Sequence, residues 1–73
     1  MNNAKITPSG FFGSEQLYKI VYGQRVHETP LSGKMAGLAC RILNGEEDSK
    51  VFANESRSYA TRVLNVVSDV KST

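Results

Sequence analysis

Ser14-Glu15-Gln16-Leu17-Tyr18-Lys19-Ile20-Val21-Tyr22-Gly23-Gln24-Arg25-Val26-His27-Glu28-Thr29 is the stretch on which the fold turns. As a helix, residues 14–22 have Ser14 for an N-cap, Leu17, Ile20 and Val21 on one face at i, i+3, i+4, and Gly23 as the stop. As a strand, residues 17–22 are a run of aromatic and β-branched side chains in which Tyr18, Ile20 and Tyr22 alternate onto one side. The sequel decides for the strand. Gly23-Gln24 is a short turn candidate, and residues 25–29 alternate again up to Pro30, which has no N–H to give to a ladder. The two segments predict an antiparallel hairpin.

Working upstream, Thr7-Pro8-Ser9-Gly10 carries the chemistry of a tight turn, since proline presets one central dihedral and glycine tolerates the left-handed one. It is expected to join a short first strand at residues 4–7 to Phe11-Phe12. Downstream, Ser32 is a helix cap candidate, Met35, Leu38, Ala39 and Ile42 line one face, and Asn44-Gly45 supplies a left-handed exit. Gly33, Ala36, Gly37 and Cys40 form a flank of small residues, and each glycine costs about 1 kcal/mol against Ala in a helix. Such a flank predicts a close neighbour, expected to be the second helix. That helix is expected to start at the cap Asn54-Glu55, with Tyr59, Val63, Val66 and Val70 in a stripe that Ala60, Leu64 and Val67 widen. At the ideal helical turn angle the apolar sector is roughly 160° wide, broader than the minimum stripe of a surface helix, and is read as deeper burial in a tiny core ahead of a dimer interface.

The resulting expectation is an α+β fold, a small antiparallel β-meander in the N-terminal half packed against two C-terminal α-helices. The whole chain is read as one domain: residues 1–30 strands and turns, 31–44 helix, 45–53 an acidic loop, 54–71 helix. Its 73 residues, 40% hydrophobic and 22% charged, have an ordinary globular composition, which argues against collagen-like, transmembrane and strongly disordered classes. One cysteine and one histidine exclude a disulfide scaffold and a structural zinc knuckle. No apolar stretch near the start resembles a signal-peptide core, and a cytoplasmic protein with no membrane contact is expected. The net charge of +2 is too small to diagnose nucleic-acid binding, and most of it lies in the first half, on Lys5, Lys19, Arg25, Lys34 and Arg41.

Chemical motifs fail one by one. Cys40 and His27 are the only thiol and imidazole, and nothing in their surroundings marks a nucleophile system. Glu46, Glu47 and Asp48 are adjacent in a loop and read as solvated charges rather than as an opposed acid–base pair. Residues 44–55 have the length of a calcium loop but place Ser49 where the sharp turn needs glycine. Ser32-Gly33-Lys34 lacks the other residues of a phosphate loop, since Glu28 and Met35 stand where glycine and a hydroxyl are required. No cofactor and no metal are expected, and no enzyme activity.

The favoured expectation is a non-catalytic protein-binding module acting by occupancy on a protein or ribonucleoprotein, as a dimeric adaptor or a stoichiometric inhibitor. Its size alone suggests the blockers of host defence that phages and mobile elements carry. The alternative is a small nucleic-acid-binding transcriptional or RNA regulator. Candidate contact residues are Phe11, Phe12, Lys19, Tyr22, Arg25, His27, Lys34 and Arg41, chosen as aromatics and cations that contribute strongly at interfaces. Neighbouring strand residues point to opposite faces, so at most one of Phe11 and Phe12 is expected to enter the core. Tyr59, Leu64 and Val67, at the edge of the wide helical sector, are the candidate homodimer interface.

Overall fold

The structure, a computed structural model, describes residues 3–72. It is an α+β arrangement with the order β1 (Ala4–Phe12), β2 (Glu15–Tyr22), β3 (Arg25–Ser32), α1 (Gly33–Leu43), a single 3-10 turn (Ser49–Phe52) and α2 (Arg57–Ser72). The three strands form an antiparallel meander with β2 in the middle. Both hairpins close over two residues, Gly13-Ser14 and Gly23-Gln24. In each the glycine comes first, with φ of 64° and 65°, the position that a type II′ turn reserves for it.

Along β2, Tyr18, Ile20 and Tyr22 face the helices as the alternation predicts. Ile20 is 0% exposed, and both tyrosines pack against the core around it. The helices supply Met35, Ala36, Leu38, Ala39 and Leu43 from α1 and Val63, Val66, Val67 and Val70 from α2, with Phe52 closing one end. The molecule is only 18 Å thick in its thinnest direction, which is one helical layer on one sheet.

Several expectations are corrected. Thr7-Pro8-Ser9-Gly10 is not a turn: β1 runs straight through it to Phe12. Pro8 pairs with Tyr18 and Phe11 with Gln16, so Ser9 and Gly10 together stand opposite Leu17, a bulge in which Gly10 takes φ 106°. Turn-like residues here accommodate an extra residue in a strand. Nor does Pro30 end β3, which continues to Ser32; β3 is an edge strand, where a missing N–H costs no ladder bond. Between the pairs Ile20–His27 and Tyr18–Leu31 the strand makes its own irregularity around Pro30.

Two members of the small flank of α1, Gly33 and Cys40, meet the sheet. A methyl group on Gly33 would lie 3.2 Å from Tyr18 Cε1 on β2, and at the other end Cys40 Sγ donates to the Ala4 carbonyl of β1 at 2.9 Å. Ser32 caps α1 as expected, accepting from the Met35 amide at 3.3 Å, and Gly45 at φ 76° provides the left-handed exit. The cap of α2 is Ser56, whose Oγ accepts from the Tyr59 amide at 3.1 Å, and not Asn54. Residues 53–55 are spent instead on the exit from the 3-10 turn, where the Glu55 amide bonds to the Phe52 carbonyl.

These placements separate two neighbouring positions of α1. Ala36 is fully enclosed, so Ala36→Leu is expected to overpack the layer and cost about 1–3 kcal/mol. At Gly37 an added Cβ meets only Arg41 Nη1 at 3.6 Å, so Gly37→Ala is expected to gain about 0.5–1 kcal/mol from helix propensity. Urea unfolding of the two variants against the parent checks both signs.

Candidate interaction surface

The length of α1 decides what the sheet leaves open. Eleven residues span about 16 Å as a helix, and β2 at eight residues spans about 26 Å. Since α1 starts against Tyr18 and ends against Ala4, which pairs with Tyr22, the β1–β2 hairpin end projects beyond the helix. Phe11 and Phe12 sit on that projection and are 67% and 77% exposed. At most one of the two rings is expected in the core, and neither enters it. Ile6 and Val26, which sequence reasoning did not single out, are also exposed apolar side chains.

Beside the projecting hairpin lies an open cleft of about 340 Å³ lined by Phe12, Leu17, Leu31 and Met35, with Glu15 and Arg62 as its charged members. Sequence reasoning missed Leu17, Met35 and Arg62 as parts of one surface. They are 45 residues apart in the chain, and only the return of α2 across β3 brings them together.

The candidate cations are already engaged. Lys19 Nζ pairs with Glu28 Oε2 at 3.3 Å across β2 and β3, and Lys34 Nζ pairs with Glu55 Oε1 at 3.2 Å. Lys34 also stands 5.1 Å from the centroid of the Tyr59 ring. Arg41 Nε lies 3.9 Å from Glu47 Oε1. Arg25 has a structural position: its Nη1 donates to the carbonyls of Lys71 at 2.6 Å and Val70 at 3.4 Å, placing a positive charge on the C-terminal end of α2. His27 lies opposite Ile20 and is half-buried, and Tyr22 is packed against the core. The eight candidate residues therefore do not converge on one patch; Phe11 and Phe12 form a pair and the others are dispersed.

Of the candidate dimer residues, Val67 is 6% exposed and belongs to the protomer's own core. Tyr59 is half-buried, with its ring edge-on to Phe52 at 6.4 Å and Lys34 over its face. Leu64, at 41%, is the member of the three that offers apolar surface.

The Cys40 thiol is held against the backbone of β1. Cys40 bonds to the Ala4 carbonyl and receives Asn44 Nδ2 at 3.7 Å. Burial, reinforced by the nearby Glu46 carboxylate, pushes its thiol above the usual value. Among the described residues no group of three His, Cys, Asp or Glu could hold a metal ion, and no helix is long and apolar enough to cross a membrane. Comparison with protein-family models, with curated proteins and with solved structures finds no match.

Two measurements follow from these environments. Iodoacetamide is expected to alkylate Cys40 in the folded protein more slowly than in the urea-unfolded chain at pH 8. The gap should narrow as the pH rises and both states ionise, because a raised pKa leaves less thiolate. The Tyr59 hydroxyl is buried without a hydrogen-bond partner, so Tyr59→Phe removes an unmet polar group. Its unfolding free energy is expected to be unchanged or higher by about 1 kcal/mol, read from a thermal or urea melt.

Proposed function

We propose that the chain is a non-catalytic binding module that acts by occupying a protein surface through the projecting β1–β2 hairpin. The observation that supports this is the pair of phenyl rings at its end. Fully burying a phenylalanine is worth about 1.5–3 kcal/mol, and this fold leaves most of that unused at two adjacent positions. Phe12 lines a cleft of mixed polar and apolar character, and exposed aromatic side chains are the type of residue that dominates binding energy at interfaces. Phe11, Phe12 and the cleft wall at Leu17 are the assigned contacts. The contact faces of the hairpin, not its backbone edge, carry the binding.

Nucleic-acid binding is the weaker reading. It draws on Lys19, Arg25, Lys34 and Arg41, and each of these is engaged within the protomer. Electrostatic attraction to phosphates needs cations free and close together.

Affinity capture with and without nuclease, run beside a Phe11→Ser/Phe12→Ser variant, tests the reading. A protein captured in stoichiometric amount, insensitive to nuclease and lost from the variant by about tenfold or more, is the expected result. Capture that disappears with nuclease, or that the double substitution leaves intact, overturns it. Circular dichroism should show the variant folded, since neither ring is part of the core.

A further inference from the structure

We propose that Asn44 and Pro8 together plug the free edge of β1, so that this strand does not pair with β1 of a second copy. The inference is independent of the binding reading above.

β1 lies at the edge of the sheet, and an edge strand normally offers a row of unpaired N–H and C=O groups to any other extended chain. On β1 that row is interrupted on both sides of Ile6. The Ala4 amide donates to Asn44 Oδ1 at 2.6 Å, and Asn44 Nδ2 donates back to the Ala4 carbonyl at 3.1 Å. One carboxamide thus meets both outward groups of Ala4 as a neighbouring strand would, and Cys40 Sγ adds a third contact to the same carbonyl at 2.9 Å. In an antiparallel ladder alternate residues turn their backbone groups the same way, so Ile6 and Pro8 face outward with Ala4, while Lys5 and Thr7 face β2. Pro8 has no N–H. Beyond it, the bulge at Ser9 and Gly10 breaks the alternation. Ile6 is left as the one outward residue between residues 4 and 8 with a free amide, too little for a ladder.

The occupant excluded is specific. Antiparallel pairing of two β1 strands centred on Ile6 would set Ala4 against Pro8 of the other copy and Ile6 against Ile6. Ile6 is an exposed apolar side chain, so such a pair would gain a hydrophobic contact at its centre. The same side chain without the plug is an aggregation hazard.

Amide hydrogen exchange on the unaltered protein gives the first reading and needs no variant. The Ala4 amide is expected to be protected and the Ile6 amide to exchange rapidly; an Ile6 amide protected like those of β2 overturns the proposal. The second reading compares the parent, Pro8→Thr and Pro8→Thr/Asn44→Ala by analytical ultracentrifugation at rising concentration. The double variant is expected to dimerise, with Ile6 exchange slowed by about tenfold or more relative to the parent. A double variant that keeps the native circular dichroism, stays monomeric at millimolar concentration and exchanges Ile6 rapidly overturns the proposal. Should Asn44→Ala not fold, the exchange pattern of the parent alone decides.

Discussion

Close approach of α1 to the β1–β2 face is the constraint from which the rest of the structure follows. A helix can lie near a sheet only where its side chains are small, and α1 turns Gly33 and Cys40 to the strands at its two ends, whereas Gly37 meets only the Arg41 side chain. At one end Gly33 lets the Tyr18 ring slide against the helix backbone; at the other Cys40 and Asn44 reach the backbone of Ala4. Between these two anchors Ile20 is sealed. Glycine is a poor helix former, so the flank is destabilising for an isolated helix and is offset only by the packing it permits.

That same placement explains the surface. The anchors lie only four residues apart on β2, while β2 itself extends three residues further toward the first hairpin. Side chains on the overhang extend past the start of α1, and two phenylalanines there remain largely in water. A chain of this length buries a smaller share of its surface than a larger domain, and here the two most exposed large apolar side chains, Phe11 and Phe12, lie together at one end. Apolar surface gathered in this way is what a partner can use.

The charges follow a different logic. Lys19–Glu28, Lys34–Glu55 and Arg41–Glu47 each tie neighbouring elements at the surface, where such pairs contribute about 0–1 kcal/mol. Their effect on function is larger than on stability, because a cation held by a carboxylate of the same chain presents a weaker field to phosphates. Arg25 differs, since it satisfies carbonyls that the end of α2 leaves without intrahelical donors.

Local chemistry in the sequence determined the β2–β3 hairpin with its Gly23-Gln24 turn, the cap of α1 by Ser32 and its exit at Gly45, because alternation, glycine at a positive φ and a capping hydroxyl act over a few neighbouring residues. The first turn, expected at residues 7–10, lies at Gly13-Ser14 instead. The strand pattern of residues 17–29 carried the fold class by itself. Tertiary structure alone decided where the small flank of α1 points, that Pro8 and Gly10 make a bulge within a strand, that Pro30 lies inside an edge strand, and that Ser56 rather than Asn54 caps α2. It also decided that Val67 is core and that both phenylalanines are exposed, since the reach of a helix over a sheet is set by where its two ends are anchored. The anchor at Ala4 joins residues 36–40 positions apart, a separation at which periodicity and turn propensity carry no information.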